Sequence, residues 1–386
     1  MRLNPVLAEL GVYPIATIQH RARERRDAGL PLIDFSIGDP REPTPDFIPA
    51  ALREAVPEIS QYPTARGLAE LRVAVAAYVS RRFGVDVDAD TQIIPTSGSK
   101  EAIFNTPFAF VDRSAGDVVI YPTPGYPVYE RGALFAGAEV HPVVLKDDFV
   151  LRAGDIPDDV WEQARLAWIC SPHNPTGSVT QLADLEGLVA KARATDTLLL
   201  ADECYVDVYE EDVLAEPPPS VLQVAGPGAS GVLSYLSCSK RSGMTGYRSG
   251  AIVGDADAIS ALAQLRSTTG TASAEFVQSA AVAAWSDDVH AAERRGIFAE
   301  KRAIVRAAFD DLGYETVASH AGLYLWVKVP DDLAATDALL AEGVVVSPGR
   351  FFGPGGEGHI RLALVPTVDE CAEAVDVIKS CLWEAP

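Results

Sequence analysis

Leu198-Leu199-Leu200-Ala201-Asp202-Glu203-Cys204-Tyr205 is an unbroken apolar run that ends abruptly in two carboxylates. A strand with no polar alternation is one buried on both faces, which is how strands of a helix-covered parallel sheet read. Such a strand delivers Asp202 at its carboxyl tip, with a tyrosine three residues later. A carboxylate in that place also suits a helix N-cap, so this stretch fixes a fold class before it fixes a function. Similar runs recur on either side, at Val118–Tyr121, Val140–Leu145, Leu166–Cys170, Val232–Leu236 and Ala251–Val253. Helical periodicity lies between them, as at Leu68–Phe83, Glu101–Phe110 and Leu182–Ala194. The alternation predicts an α/β fold with a mostly parallel sheet between helices, its ligands gathered at the carboxyl ends of the strands.

After Asp287 the pattern changes. A long helix, roughly His290–Leu312, leads to a strand at Tyr324–Val329 and a helix near Leu333–Glu342. Short strands at Val344–Val346 and His359–Leu364 and a final helix follow. This reads as a smaller α+β domain. An irregular, proline-rich arm runs from Met1 to about Pro45. The expected division is residues 1–45 as an arm joining the small domain, 46–288 as the large domain and 289–386 as the small one. A chain of 386 residues is long enough for two domains, since single cores stop growing near ~250–300 residues.

Lys and Arg number 32 against 54 Asp and Glu, a net charge of −22, which repels nucleic acid and anionic membranes. No apolar run approaches the ~18–20 residues of a membrane span. The opening Met1-Arg2-Leu3-Asn4-Pro5 lacks an export pattern, so a cytoplasmic location is expected. Five cysteines (Cys170, Cys204, Cys238, Cys371 and Cys381) contain no CxxC pair, and the six histidines contain no HExxH; neither a disulfide framework nor a metal site is expected.

Four further segments carry chemistry. Ser237-Cys238-Ser239-Lys240-Arg241-Ser242-Gly243-Met244-Thr245-Gly246-Tyr247-Arg248 joins two apolar strands. Its hydroxyls and Arg248 suit a phosphate, and the cations Arg241 and Arg248 disfavour the ammonium form of Lys240, making it a nucleophile or base. The other six lysines have no such setting. Ser171-Pro172-His173-Asn174-Pro175-Thr176-Gly177 follows a strand and can project the Asn174 amide. Thr96-Ser97-Gly98-Ser99-Lys100-Glu101 opens a helix, whose first N–H groups attract phosphate. It is no Walker loop, since Glu101 stands where Ser or Thr is required, and Gly349–Gly358 is no dinucleotide fingerprint, since no helix opens there. His359-Ile360-Arg361-Leu362-Ala363-Leu364 places an arginine on a strand, costly to bury unless it meets an anion.

With these motifs in this order, the chain resembles fold-type I pyridoxal-phosphate enzymes of the class I and II aminotransferases, from about Phe35 to the C-terminus. The resemblance implies a seven-stranded large domain, pyridoxal 5′-phosphate as cofactor, and amino and keto acids as substrates. It implies that Lys240 carries the cofactor covalently and then shuttles the substrate proton. Asp202 would pair with the pyridine nitrogen, Tyr205 and Asn174 with the ring oxygen. Gly98, Ser99, Lys100, Ser237, Ser239 and Arg248 would hold the phosphate. Tyr126 would stack on the ring, while Arg361, assisted by Gly38, would grip the substrate carboxylate. Tyr62 matches a tyrosine lent across a homodimer interface.

The strings Gly38-Asp39-Pro40-Arg41-Glu42-Pro43-Thr44-Pro45, Tyr62-Pro63-Thr64 and Tyr324-Leu325-Trp326 are similar to N-succinyldiaminopimelate aminotransferases. These use glutamate to aminate N-succinyl-2-amino-6-oxopimelate; Arg41, near Gly38, is a candidate for a distal carboxylate, and an exposed arm residue is the other reading of it. The alternatives are an aminotransferase for aspartate, aromatic or acetylated substrates, and a fold-type I lyase.

Overall fold

The structure, a computed structural model, describes residues 1–10 and 15–382. Residues 11–14 of the expected arm and 383–386 of the expected small domain lie outside the described residues. The main sheet holds β1 (Ile93–Thr96), β2 (Val118–Thr123), β3 (Glu139–Val144), β4 (Ala164–Cys170), β5 (Leu198–Asp202), β6 (Val232–Ser237) and β7 (Gly250–Gly254), in the order β1-β7-β6-β5-β4-β2-β3. Only β7 runs against its neighbours. Its connection from β6 carries just the four-residue helix Cys238–Arg241, and so turns back instead of crossing over.

The apolar run that opened the sequence behaves as its composition requires. Leu199 and Ala201 face one core with Trp161, Val75 and Trp285, while Leu200 faces the other with Trp168, Tyr129 and Ile259. Helices Ala69–Phe83 and Glu275–Ser286 cover the first face; Val128–Ala136 and Ala256–Thr269 cover the second. The parallel strands β4, β5 and β6 therefore end side by side at Cys170, Asp202 and Ser237.

Two sequence expectations need correction here. The segment Glu101–Phe110 is two helices, Ser99–Asn105 and Pro107–Phe110, because Pro107 has no N–H to continue the ladder and begins a new helix instead. The arm contains helices Pro5–Glu9 and Ile15–Asp27. The second is held by tertiary contacts more than by periodicity: Ile18 and Ala22 bury against Leu340 and Val345, and Arg25 donates to the Ala341 carbonyl at 2.7 Å. Beyond it, Ile33–Asp34 pairs parallel with Val344–Val345.

A second, antiparallel sheet comprises β8 (Thr316–Val317), β9 (Tyr324–Lys328), β10 (Ser347–Pro348) and β11 (His359–Ala363), in the order β10-β11-β9-β8. Leu325, Val327, Ile360 and Leu362 pack on Val305, Phe309, Ala374 and Ile378 of helices Val289–Asp311 and Val368–Cys381. Between the two sheets, Gly349–Phe352 forms one 3-10 turn. Gly125 N–H donates to the Phe352 carbonyl at 2.8 Å, and Thr123 Oγ1 to that of Pro354 at 2.9 Å, tying that turn to the end of β2.

Candidate active site

The carboxyl ends of β4, β5 and β6 open into a cavity of about 690 Å³. Gly38, Ser99, Lys100, Tyr126, Asn174, Asp202, Tyr205, Ser237, Ser239, Lys240, Arg248 and Arg361 all line it. Gly98 stands behind its wall, at φ 81° and ψ 158°, and a Cβ there would overlap the Arg248 guanidinium. Tyr62 is elsewhere: it is fully exposed, in the irregular stretch between helices Phe47–Glu54 and Ala69–Phe83. Arg41 also lies away from the cavity, because it pairs with Glu370 at 2.7 Å. It does not serve a distal carboxylate there.

Lys240 follows the tip of β6, and its amine donates to the Gly38 carbonyl. Burial pushes its pKa down from 10.5 to about 8; Asp39 and Cys204 oppose the shift, while Arg248 and Arg361 add to it. Arg241, expected to contribute, is turned away. Its guanidinium donates to Asp207 at 2.8 Å and lies over the rings of Tyr78 and Trp285 at 5.0 and 5.3 Å. A neighbour in sequence on a helical turn points to the other side, and the cations that matter come from β11 and the loop before β7.

Asp202 is buried and accepts hydrogen bonds from the Tyr129 hydroxyl at 2.7 Å and the Cys204 N–H at 3.3 Å. Burial raises its pKa, and these donors partly offset the rise. It forms no ion pair among the described residues. A buried carboxylate at the floor of a cavity is stabilised by a cationic N–H presented from the cavity side. The same lining holds three serine hydroxyls, those of Ser99, Ser237 and Ser239, with Lys100 and Arg248, a donor set for a dianion.

Arg361 is 5% exposed and lies between the rings of Tyr324 and Phe352, at 4.5 and 4.4 Å. It donates to Asn174 Oδ1 at 2.9 Å and to the Ser36 carbonyl at 2.6 Å. A guanidinium only donates, so it fixes the Asn174 oxygen toward itself and leaves the amide N–H groups for the cavity. A guanidinium near the Lys240 amine makes a carboxylate subsite beside a nucleophile.

Sequence reading missed Gln19, Asp39, Tyr324 and Phe352 as lining residues. Tyr324 left a signal, since a tyrosine at the head of an apolar strand must find a partner for its hydroxyl. Gln19 left none; only the packing of helix Ile15–Asp27 brings it to the mouth.

An amine, a buried acid, an anion cup and a carboxylate clamp around one cavity fit pyridoxal phosphate and an amino acid. Known proteins agree. The LL-diaminopimelate aminotransferase of Aquifex aeolicus (strain VF5) is 36% identical over 384 residues, 97% of each chain. An aminotransferase of Neisseria meningitidis Z2491 superposes with a TM-score of 0.88 at 32% identity, over 98% of this chain and 100% of that one. A probable N-succinyldiaminopimelate aminotransferase from Thermus thermophilus gives a TM-score of 0.88 at 27% identity, over 95% and 100%. Residues 31–378, which span both sheets and every lining residue named except Gln19, match the aminotransferase class I and II family, and the chain belongs to that pyridoxal-phosphate-dependent family.

Proposed function

We propose that this enzyme transfers an amino group between glutamate and a diaminopimelate-type carbon skeleton, with N-succinyl-2-amino-6-oxopimelate as the acceptor. The observation that carries the reaction type is Arg361, buried and held by Asn174 and Ser36 in the cavity that Lys240 enters. One carboxylate clamp serves amino donor and amino acceptor alike, as two half-reactions in one site require. The diaminopimelate skeleton is supported by the names of the Aquifex and Thermus relatives and by the strings around Gly38 and Tyr62. The first name lacks the succinyl group, which makes the free amino acid the second reading.

Pyridoxal phosphate, when bound, supplies the electron sink for the pair left by the Cα–H bond. The chain's own residues do the rest. Lys240 would hold the cofactor and, once the substrate amine has taken its place, would as a free amine take the Cα proton and deliver it to the cofactor carbon on the other side of the substrate nitrogen. Its depressed pKa keeps a usable fraction unprotonated near neutral pH. Asp202 would keep a proton on the ring nitrogen. Tyr205 and Asn174 would serve the ring oxygen, Tyr126 the ring, and Gly38 the substrate beside Arg361. Ser99, Lys100, Ser237, Ser239 and Arg248 would hold the phosphate, with Gly98 leaving room for Arg248.

The working unit we propose is a cytoplasmic homodimer in which Tyr62 enters the partner's cavity. Its full exposure, next to Val56 and Ile59 at 54% and 76%, supports that reading. The division into an arm (1–45), a large domain (46–288) and a small domain (289–386) is supported by the pairing of Ile33–Asp34 with Val344–Val345.

Absorbance spectra test the substrate. Glutamate should bleach the visible band of the bound cofactor, and N-succinyl-2-amino-6-oxopimelate should restore it. Restoration by 2-amino-6-oxopimelate alone would assign the unsuccinylated reaction. Restoration by 2-oxoglutarate but neither of these would remove the diaminopimelate reading and keep the aminotransferase.

Gly98→Ala tests the phosphate cup. The backbone there lies in a region only glycine adopts freely, and the new Cβ displaces Arg248. Strain and a lost charge-assisted bond together should weaken cofactor binding roughly 10–100-fold, measured by equilibrium dialysis, with the far-ultraviolet circular dichroism unchanged.

A further inference from the structure

Tyr324 takes no part in the chemistry above, yet it stands in the cavity between two groups that do. It opens β9 and is 2% exposed. Its hydroxyl oxygen lies 2.7 Å from that of Tyr205, with the rings edge to face at 5.4 Å. The Arg361 guanidinium rests on its ring. The space is tight: a Cβ at Gly38 would come within 2.8 Å of the Tyr324 oxygen, so the phenol stands there because residue 38 has no side chain.

Between two facing hydroxyls, one donates and the other keeps its proton for a third group. The cation on the Tyr324 ring makes its O–H the more acidic of the two, and hence the better donor. Asp202 and Cys204 at the tip of β5 and Cys170 at the end of β4 act on the pair, and Lys240, Arg248 and Asp39 line the same cavity, Lys240 against Gly38. Of the cations, Arg361 is the one that rests on a ring of the pair, that of Tyr324, and so breaks the symmetry. The proton of Tyr205 is then left for the cavity.

We propose that Tyr324 is a positioning residue with two separable actions: its hydroxyl donates to Tyr205 and so aims the Tyr205 proton at the cofactor's ring oxygen, and its ring face orients Arg361 for the substrate carboxylate. This rests on the assignment of Tyr205 to that oxygen. Donation through a chain of hydroxyls strengthens the second bond, which stabilises the anionic oxygen and lowers the pH at which the bound cofactor loses its proton.

The test is a pH titration of the visible absorbance of the holoenzyme, with steady-state kinetics alongside. Tyr205→Phe should raise the titration midpoint. Tyr324→Phe should raise it by a smaller amount, about half a pH unit, with KM for glutamate unchanged. The double variant should rise no further than Tyr205→Phe alone. Tyr324→Leu, which also removes the ring, should add a roughly tenfold rise in KM. If Tyr205→Phe moves the midpoint and Tyr324→Phe does not, the relay is refuted and the Tyr205 assignment stands. If neither moves it, the Tyr205 assignment falls and takes the relay with it. If Tyr324→Phe raises KM as much as Tyr324→Leu, the ring-face action is refuted. The isosteric phenylalanine variants suffice for the first two outcomes should the leucine variant fail to fold.

Discussion

Lys240→Ala should lower transamination by at least the ~10²–10⁴-fold that a positioned acid–base group contributes, and should remove the covalent link that gives the holoenzyme its visible band. Among the described residues Lys240 is the only lysine that combines a place at the cavity, a burial-lowered pKa and a backbone anchor at Gly38. Lys100 also lines the cavity, as the second residue of helix Ser99–Asn105, where the proposed reading assigns it to the phosphate. The phosphate cup and Arg361 survive the substitution, so cofactor and substrate still bind and the loss should appear in kcat. Single-turnover absorbance with glutamate separates this from a folding defect. Thermal stability gives an independent control. Because burial holds the lysine's pKa near 8 against 10.5 in the unfolded chain, the unfolded state binds that proton more tightly. Cofactor-free wild type therefore gains stability as pH rises from about 8 to 10.5 on account of this lysine, and the alanine variant lacks that gain. Turnover within a few-fold of wild type would dismiss Lys240 from the chemistry.

What could be read in advance follows from how local each feature is. The strand Leu198–Asp202 announces itself because burial on both faces forbids polar alternation, and strands like it put their last residues at one edge. Asp202, Asn174 and Lys240 thus come together although they lie far apart in the chain. β1 escaped because Ile93–Thr96 is short and carries Pro95, a residue a sheet accepts most easily at its edge, which is where β1 lies. The direction of Arg241 was illegible for a different reason. It is decided by Asp207, Tyr78 and Trp285, none of them near it in sequence. The same holds for Arg41, drawn off by Glu370, and for the Tyr205–Tyr324 pair, separated by 119 residues. Chain position gives the chemistry a side chain could perform; packing decides which way it points.

Asp202→Asn should lower kcat by about 10²–10³-fold, the range for losing one preorganised electrostatic partner of a developing charge. The substitution is close to isosteric. An asparagine oxygen can still accept from Tyr129, and the Cys204 N–H is the one contact placed at risk. What would disappear is the negative charge that, on the proposed assignment, keeps the ring nitrogen protonated while the Cα–H electrons are withdrawn. Because Arg361 and the phosphate cup do not touch residue 202, KM for glutamate should change little. Exchange of the substrate α-hydrogen with solvent should fall in step with kcat, placing the defect at proton removal and not at product release. The fold should not suffer. Burial raises the carboxyl's pKa above its usual 3.8, so ionising it opposes folding; that penalty builds as pH rises from 3.8 to the raised value and stays in full above it. An amide escapes the penalty, and the cofactor-free variant at pH 7 should melt no lower than wild type. If it does melt no lower and kcat stays within a few-fold of wild type, the charge at position 202 is not the partner of the ring nitrogen, and the acid must come from elsewhere in the cavity, where Asp39 is the other carboxylate in the lining.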